Sequence, residues 1–495
     1  MARGSPRGRE SGLRILGTAR RARLVRGGLL ERDIFANLSP LDHRYYAGNP
    51  ELFEELAEYL SENAYIRYQL KVEAALARAL ARRGLCAPAI AEEIVAACAV
   101  VTPEEVYVEE AVTHHNVRAL VNCIQRRVGP GARPFVHLTA TSVDILDTAN
   151  ALRLRAVTEE VVLPRAAALL RLLIELARRE KETLQMGRTH GQHAVPITFG
   201  FALAQYVARF GNRLEAIAAA ARGLRGKMSG AVGAYNASSL FFPDPEAFEA
   251  EVLSELGLAP AEISTQIVPP EYLVDYLHAV VSAFGVLANL ADDLRHLQRT
   301  EIGEVAEAFA PTQVGSSTMP HKRNPWNFEH IKSLWKEFVP RMLTRYLDQI
   351  SEHQRDLTNS ASGRFAPEIV VGFVAAVERM KSVLARLYVD REQMRTNFAA
   401  SAETVIAEPL YILLAYHGEP KAHETVRLLT LEAEEKGVTL RRLLTEHPER
   451  FGFLAKMSEE QRRILAEPER YTGRAAAKTE EVCARWERRL AEMGF

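Results

Sequence analysis

The sequence predicts an all-α fold in which long helices form a central bundle. From about residue 50 onward, apolar residues recur at three- and four-residue spacing, which is the period of an amphipathic helix. Convincing β-strand alternation is not found in the sequence. Helices that are apolar over much of their circumference bury those faces against one another, so a bundle is the expected arrangement.

Four segments have the length and period of bundle helices. The first carries Leu169, Leu173 and Leu176 on one face and arginines on the other, and the second has alanine-rich turns that allow close helix approach. At 1.5 Å per residue, a helix of about 25–30 residues spans roughly 40 Å. The four segments are 152–179, 199–225, 272–300 and 327–352.

Breaks between these segments divide the chain into three helical domains. A stretch with glycines and prolines at 128–134 precedes the bundle, a second break at 243–246 interrupts it, and shorter, charge-rich helices begin near residue 390. We expect a basic leader at 1–33, an N-terminal domain at 34–138, the central bundle at 139–388 and a C-terminal domain at 389–495. Apolar faces left outside one bundle would be covered by self-association.

The charge distribution separates the leader from the rest of the chain. Among 495 residues, 62 basic and 63 acidic side chains leave a net charge of −1, which argues against a general nucleic-acid or membrane-surface binder. The leader has nine arginines and three acidic residues, so its +6 leaves −7 for residues 34–495. We interpret the leader as a disordered tail or as a start assigned too early, with an organelle-targeting segment as the alternative.

The cysteines and the apolar stretches argue against a metal site and a membrane span. The four cysteines have no CxxC spacing and lie in apolar helical surroundings, as expected for buried free thiols in a reducing compartment such as the cytoplasm. The longest apolar stretch, 277–291, contains polar residues and is shorter than a bilayer requires. We therefore expect no transmembrane helix and no zinc site.

The strongest chemical signal is a polar loop between two helical segments. Residues 315–325 read GSSTMPHKRNP and combine two serines with Lys322 and Asn324. Exposed backbone amides together with a lysine and an amide side chain form a surface for a carboxylate that gains a second negative charge. A solvated linker between helices is the alternative, although such a linker would rarely need Met-Pro at its centre.

A second segment, MGRTHGQHAVPIT at 186–198, contains two histidines in a glycine-containing turn before a helix. His190 and His193 can offer imidazoles to a cavity. A zinc site at these residues lacks a third ligand at motif spacing, whereas general acid or base chemistry suits the histidine pKa of about 6.5. A structural role for either histidine remains open.

A third segment places His137, Thr141 and Ser142 just before a long helix, where hydroxyl and free N–H groups suit an anion. Ser142 or Asp144 could instead cap that helix, and both interpretations are compatible. His115 lies in a further histidine pair beside an arginine. A solvated helix face would give the same pattern as this pair.

A fourth segment, 353–364, spaces Arg355 and Arg364 nine residues apart, with Ser360 between them. Planar guanidinium groups match the geometry of phosphate and carboxylate. By itself this spacing is a weak signal, and its value comes from its combination with the other three segments.

Taken together, the segments resemble the aspartase/fumarase superfamily over residues of about 38–430. The loop 315–325 is similar to the signature GSSxMPxKxNP, which is specific for the superfamily but not for one substrate. Within the superfamily the chain most resembles the adenylosuccinate lyase family, through segments at 38–45, 187–200, 353–364 and 418–424. This resemblance implies a mainly helical homotetramer whose sites combine segments from three subunits.

The resemblance implies an elimination that breaks a C–N bond and releases fumarate from adenylosuccinate, and also from SAICAR, without a metal or an organic cofactor. By position, Ser316 is the base, and His190 is the acid that protonates the departing nitrogen. Glu329 corresponds to a carboxylate that orients His190. Lys322 and Asn324 would stabilise the doubly charged carboxylate of the carbanion.

The same resemblance implies which residues bind the purine nucleotide. The succinyl carboxylates would be held by Thr141 and Ser142, with Thr189 and Gln266 nearby. The phosphate and the base would contact Arg44, Tyr45, Arg355, Ser360 and Arg364. His115 and His137 correspond to active-site histidines of the family.

Two departures from the family pattern concern the purine side, namely Asn116 in place of the usual aspartate and Pro269-Pro270 after Gln266. The nearest alternative enzyme is a carboxymuconate cycloisomerase, which shares the MPHKRNP wording but generally lacks a histidine at position 190. A non-catalytic relative is disfavoured by the joint presence of the catalytic side chains. A nucleic-acid partner would rest on the leader alone.

Overall fold

The computed structural model describes residues 33–309, 315–319, 321–446 and 451–495. The chain divides into two compact units, the first ending at Phe53 and the second spanning Glu54–Phe495. Apart from Asp33, the predicted leader lies outside the described residues. The described elements are mostly α-helices, so the predicted all-α class is confirmed.

The N-terminal helices are α1 Arg44–Gly48, α2 Pro50–Leu60, α3 Glu62–Arg82, α4 Pro88–Val100, α5 Pro103–Thr113 and α6 Asn116–Arg126. The central helices are α7 Ser142–Val157, α8 Leu163–Arg179, α9 Phe199–Gly223, α10 Pro245–Glu255, α11 Glu271–Leu297, α12 Trp326–Phe338, α13 Arg341–Leu347, α14 Ser360–Gly363 and α15 Ala366–Leu384. The C-terminal helices are α16 Arg391–Ala399, α17 Ala402–Val405, α18 Ala407–Tyr416, α19 Ala422–Lys436, α20 Leu440–Glu446, α21 Glu459–Ala466 and α22 Ala475–Glu492.

In the ranges that the structure describes, six short strands form three two-stranded sheets, which corrects the expectation from the sequence that strands are lacking. The strands are β1 Leu184–Thr189, β2 Gln192–Thr198, β3 Arg225–Gly226, β4 Ala259–Pro260, β5 Val305–Ala306 and β6 Tyr388–Val389. β1 pairs antiparallel with β2, β3 parallel with β4, and β5 antiparallel with β6. Most are two residues long, and β1 and β2 are half-exposed with irregular pairing, so none shows clean alternation.

The predicted bundle is present and is built from α8, α9, α11, α12, α15 and α22. Helix α9 packs against α8, α11 and α22, and α15 packs against α8, α11 and α12. At one level of the core, the ring of Phe284 lies 6.0 Å from that of Phe373 and 6.3 Å from that of Phe338. These rings are buried, so the apolar faces found in the sequence meet one another.

The last helix is part of this bundle rather than an appendage. Trp486 of α22 is buried, and its ring lies where a Cβ atom on Gly211 of α9 would come within 2.5 Å. Glycine at position 211 therefore permits the close approach of the two helices. Arg178 of α8 reinforces the contact, because its guanidinium pairs with Glu480 and Glu487 of α22.

Two of the four predicted bundle helices have different limits in the structure. The segment predicted at 152–179 starts earlier, at Ser142, and a π-helical turn at Thr158–Val162 joins α7 to α8. The prediction of one helix over 327–352 is wrong, because the chain breaks between α12 and α13 at Pro340. Proline has no N–H for the helical hydrogen bond and clashes with the preceding turn.

The 277–291 stretch belongs to a helix that is long enough to cross a membrane, so the prediction that it is too short is wrong. Helix α11 extends over 27 residues, and it and the segment Ser360–Leu384 are long and apolar enough for a span by length and composition. In α11, 67% of the apolar window is buried inside the protein. Packing against α9, α12 and α15 thus accounts for the composition of α11.

All four cysteines are buried free thiols, as predicted. Burial raises the pKa of the Cys483 thiol to about 11 and also raises the pKa of Cys98, so both are held in the neutral form. In the ranges that the structure describes, no group of three or more histidine, cysteine, aspartate or glutamate side chains is arranged to hold a metal ion.

Candidate active site

A cavity of about 840 Å³ in the second unit gathers residues from distant parts of the sequence. Its volume lies within the range of roughly 300–1,000 Å³ that is typical of small-molecule sites. Its walls come from α3, α5, α7, α13, the N-terminus of α6 and the segments before α11 and α15. Six residues predicted to bind substrate line it, namely His115, Ser142, Gln266, Arg355, Ser360 and Arg364.

The N-terminus of α7 is held by a buried carboxylate. Asp144 accepts a hydrogen bond of 2.7 Å from the backbone N–H of Thr141 and one of 3.2 Å from that of Gly230. The same carboxylate pairs with the ammonium of Lys227, and neither side chain is exposed. Thr141 is the N-cap residue, so the expectation that Ser142 caps the helix is wrong, whereas Asp144 does satisfy the end of the helix. Ser142 instead faces the cavity.

His115 combines a local structural role with a place in the cavity wall. It is the N-cap of α6, and its Nδ1 accepts a hydrogen bond of 3.3 Å from the backbone N–H of Arg118. Because Nδ1 is the acceptor, Nε2 is the ring nitrogen that can donate a hydrogen bond into the cavity. The neighbouring Asn116 also lines the cavity, and its Oδ1 accepts a 2.8 Å hydrogen bond from the N–H of Val117.

The segment that carries Arg355, Ser360 and Arg364 is supported by residues that the sequence analysis missed. Arg345 of α13 donates a hydrogen bond of 2.8 Å to the carbonyl of Ser362 and pairs with Asp348 at 3.0 Å. Asp348 in turn accepts a 2.7 Å hydrogen bond from the Ser362 hydroxyl. Arg345 and Asp348 both line the cavity. Their signal in the sequence was weak, because charged residues on a short helix usually face solvent.

Asp147 is a second residue that the sequence analysis missed. It lies on α7 in the cavity wall, and its Oδ2 accepts a 2.9 Å hydrogen bond from the backbone N–H of Val268. Burial raises the pKa of this carboxyl to about 6. The hydrogen bond ties α7 to the segment that contains Pro269 and Pro270, which also line the cavity. Asp147 is one of several polar side chains of α7, so nothing in the sequence distinguished it from the others.

The histidine motif at 186–198 forms a β-hairpin, so the predicted turn is present before α9, but it joins two strands that the sequence did not predict. Strands β1 and β2 are joined by His190 and Gly191, whose φ angles are 54° and 75°. Positive φ at both positions is what a two-residue type I′ turn requires. Thr189 and His190 therefore lie exposed at the tip of the hairpin.

Just behind its tip, this hairpin is fixed by polar contacts, some of which reach the C-terminal helices. Arg188 pairs with the buried Glu304 at 2.6 Å, and Glu304 also accepts a 2.9 Å hydrogen bond from Asn397 of α16. His193 Nδ1 lies 2.6 Å from the hydroxyl of Ser401. Burial and the nearby Arg188 lower the pKa of His193. His193 thus has the structural role that the sequence analysis left open.

The signature loop is organised by hydrogen bonds within it. The Ser316 hydroxyl accepts hydrogen bonds from the backbone N–H groups of Met319 at 3.1 Å and Thr318 at 3.4 Å. The side chain of Asn324 donates a 2.9 Å hydrogen bond to the carbonyl of Gly315. A Cβ atom at position 315 would lie 2.1 Å from the carbonyl oxygen of Lys322, so only glycine allows the two ends of the loop to meet.

A buried carboxylate fixes the C-terminal end of this loop. Glu307 accepts hydrogen bonds from the Asn327 side chain at 2.7 Å and from the Phe328 backbone N–H at 2.9 Å, at the start of α12. Burial raises its pKa, although these hydrogen bonds act in the opposite direction. Glu329 lies in the first turn of α12 and is exposed.

The predicted site residues are therefore divided between the cavity and other parts of the chain. His137 is half-buried beside Glu73, five positions before Ser142. Arg44 and Tyr45 belong to α1 in the first unit. Among the described residues of the second unit, the predicted site residues that the cavity lining does not include are His137, Thr141, Thr189, His190, Ser316, Lys322, Asn324 and Glu329.

Comparison with known proteins identifies the family. A family model described as lyase matches residues 43–337, and one described as adenylosuccinate lyase C-terminal matches residues 351–472. The adenylosuccinate lyase of Pyrococcus abyssi is 36% identical over 451 residues, which cover 90% of this chain and 96% of that protein. The chain belongs to the adenylosuccinate lyase family. Both the predicted family and the predicted enzyme class are thus confirmed.

Two solved structures share the fold. The fumarate lyase from Mesorhizobium sp. BNC1 has a TM-score of 0.76 and 26% identity, covering 87% of this chain and 97% of that one. The 3-carboxy-cis,cis-muconate lactonizing enzyme from Pseudomonas putida has a TM-score of 0.75 and 27% identity, covering 88% and 97%. The adenylosuccinate lyase family therefore shares its helical architecture with enzymes of other names, and the fold by itself does not select a substrate.

Proposed function

We propose that this chain breaks the C–N bond of adenylosuccinate to give AMP and fumarate, and that of SAICAR to give AICAR and fumarate. The observation that carries the proposal is the cavity in which six of the predicted substrate-binding residues meet. Membership of the adenylosuccinate lyase family supports the same reaction. Both substrates carry two carboxylates and a phosphate, which suits a wall that contains Arg355 and Arg364.

In the proposed mechanism, Ser316 removes the proton beside a carboxylate. A serine hydroxyl is a poor base unless its anion is stabilised. The two backbone N–H groups that donate to the Ser316 hydroxyl would provide this stabilisation, and they support the assignment. Lys322 and Asn324 would stabilise the carbanion, because its carboxylate gains a second negative charge.

The departing nitrogen would receive its proton from His190. The hairpin tip places this imidazole away from competing side-chain contacts among the described residues, while Arg188 and His193 hold the strands behind it. We propose that Glu329 orients His190 through a hydrogen bond, as carboxylates do for catalytic imidazoles. The mechanism uses side chains and backbone amides only, so we propose that the reaction needs no metal or organic cofactor.

In this proposal, residues of the cavity wall bind the substrate together with other predicted site residues. Ser142 and Gln266 would hold the succinyl carboxylates together with Thr141 and Thr189. Arg355, Ser360 and Arg364 would bind the phosphate and the base together with Arg44 and Tyr45. The imidazoles of His115 and His137 would also contact the substrate.

We propose that the active protein is a homotetramer whose sites combine several protomers. Residues proposed for proton transfer lie outside the cavity lining of their own protomer, as a shared site requires. Large apolar side chains around α13 and in the segment after it are exposed, which supports a surface covered by another copy. They are Leu343, Leu347, Ile350, Leu357 and Phe365.

The shared site is tested by mixing two inactive variants. We expect Ser316→Ala and His190→Gln each to abolish fumarate release while preserving the oligomer. When the two variants are mixed and allowed to exchange subunits, some sites receive an intact Ser316 and an intact His190, so activity should return. If mixed oligomers form and remain inactive, both residues act within one protomer and the shared site is wrong.

The reaction is tested by the ultraviolet absorbance of fumarate and of the purine products. Purified protein is incubated with adenylosuccinate, SAICAR, argininosuccinate and malate, with the Ser316→Ala variant as the matched control. We expect turnover of the first two substrates and none in the control. Activity restricted to argininosuccinate or malate would overturn the substrate assignment, and substantial activity of the control would remove the base role from Ser316.

The second candidate function is a carboxymuconate cycloisomerase, which is favoured by the structural likeness to the Pseudomonas putida enzyme. His190 at the hairpin tip favours the lyase, because an elimination of nitrogen needs a proton donor at that position. Incubation with 3-carboxy-cis,cis-muconate distinguishes the two functions, since only a cycloisomerase would consume it. We propose a cytoplasmic location, which the four buried free thiols support, and no nucleic-acid or membrane partner.

A further inference from the structure

One buried carboxylate in the second unit has a predicted site histidine as its partner. Glu73 lies in α3 with 1% of its side chain exposed, and its Oε1 is 2.6 Å from Nδ1 of His137. Within the part of the chain that the structure describes, the other oxygen of Glu73, Oε2, is buried without a hydrogen-bond partner. The hydrogen-bonding capacity of this carboxylate is therefore directed at the imidazole.

The burial of Glu73 favours a cationic neighbour for its carboxylate. An ionised carboxylate in an apolar interior is strongly unfavourable unless a cation pairs with it. Burial is the largest single influence on the pKa of His137 and lowers it, but the charge and the hydrogen bond of Glu73, together with other nearby charge, leave the net pKa raised. The other charged groups that face His137 are Asp144 of α7, which raises its pKa, and Arg118 of α6, which lowers it. On the α4 side, the Cys98 thiol is kept neutral by burial and by Glu73.

The backbone around His137 is held in an unfavourable conformation. His137 and Thr139 have φ angles of 63° and 71°, in the left-handed region that few non-glycine residues adopt. Such conformations persist when the surrounding structure fixes them, and they are frequent at functional sites. The strained stretch ends at Thr141, and the next residue, Ser142, lines the cavity.

We propose that Glu73 is a positioning residue that keeps His137 protonated and directs its Nε2–H toward an anionic group of the substrate. Because Nδ1 is bound to Glu73, Nε2 is the nitrogen that remains for a ligand. A carboxylate or phosphate of the substrate is the matching acceptor. The inference rests on the proposed function for the identity of that anion, whereas the effect of Glu73 on His137 is independent of it.

The kinetic test compares Glu73→Gln with the wild type across pH. Glutamine keeps the shape and an acceptor oxygen but removes the charge, so the His137 pKa falls and the charged form is lost at lower pH. We expect the alkaline limb of kcat/KM to move down by about 1–3 pH units, the usual effect of losing an opposite charge at this range. KM should rise at pH 8 by about tenfold while kcat changes less, because the lost charge acts in binding.

Three further variants separate positioning from a purely structural role. Glu73→Asp retains the charge, so the alkaline limb of its kcat/KM profile should lie closer to that of the wild type than the limb of Glu73→Gln does. Combining Glu73→Gln with His137→Asn should add nothing to the effect of His137→Asn alone, since Glu73 acts through that ring. Glu180→Gln removes another buried carboxylate, one that pairs with Arg179 and Arg391, and should lower the melting temperature without moving the limb.

A measurement that does not need turnover completes the test. The His137 imidazole is titrated by two-dimensional 1H–15N NMR of histidine-labelled protein, and its signal is assigned by its loss in His137→Asn. We expect a lower pKa for this ring in Glu73→Gln than in the wild type. An unchanged pKa, or full additivity in the double variant, would overturn the inference. A wild type that releases no fumarate would refute the proposed function, and the NMR titration would still decide the role of Glu73.

Discussion

The ion pair between Lys227 and Asp144 predicts a large effect of a single substitution, Lys227→Met. Both side chains are fully buried. Methionine keeps the length of the lysine side chain and removes its charge. The Asp144 carboxylate then keeps its two backbone donors, Thr141 and Gly230, but has lost its counter-ion. Breaking a buried pair from one side typically costs about 3–5 kcal/mol.

This loss of stability corresponds to a measurable decrease in the melting temperature. With an unfolding entropy of about 2.1 cal/mol/K per residue, a chain of this size changes its free energy of unfolding by about 1 kcal/mol per kelvin near its melting temperature. We therefore expect Lys227→Met to lower the melting temperature by about 3–5 °C. Because Asp144 also fixes the end of α7 beside Ser142, KM should rise more than kcat falls.

The assay is thermal unfolding followed by circular dichroism, with fumarate release measured in parallel. Lys478→Met is the matched control, because Lys478 and Glu481 form an ion pair in which both side chains are about half-exposed, and the melting temperature should not change measurably. Adding Asp144→Asn to Lys227→Met should recover part of the stability. The reasoning is refuted if Lys227→Met melts like the control or if the two substitutions are simply additive.

Three further outcomes are expected from the structure. Asp147→Asn should stabilise the protein at pH 8 and less at pH 5, as followed by thermal unfolding: a carboxyl whose folded pKa is raised to about 6 lowers stability as pH rises through that value. Arg345→Ala should raise KM in the fumarate assay by releasing the carbonyl of Ser362. Gly211→Ala should lower the melting temperature, since its Cβ would lie 2.5 Å from the Trp486 ring; an unchanged value would contradict this packing.

The bundle was predictable because helical periodicity is a local property of the sequence. Helices α9 and α11 lie close to their predicted limits, and the break at Pro340 is a local signal that was available at 327–352. The hairpin with His190 at its tip was less accessible. Its strands are short and half-exposed, and its turn places a histidine where glycine or asparagine is more usual.

Only those residues of the candidate site that lie in recognisable motifs were predictable from the sequence. Ser142, Arg355 and Arg364 were found by resemblance, but their meeting in one cavity depends on tertiary packing that no single segment encodes. Glu73 illustrates the limit more sharply. In the sequence it is one of two acids on a helix rich in apolar residues, and its partner, His137, is 64 positions away. Its burial and its contact become visible when α3 and the strained loop are seen together.

The placement of α22 has a consequence for the synthesis of the chain. Helices α8 and α9 leave the ribosome long before Trp486, whose ring covers Gly211 and closes that side of the bundle. Until then, the apolar groove between α8 and α9 stays open to solvent and to other chains. Completion of the core is therefore a late event that follows translation of most of the protein, and in that interval the exposed apolar surface favours aggregation of the nascent chain.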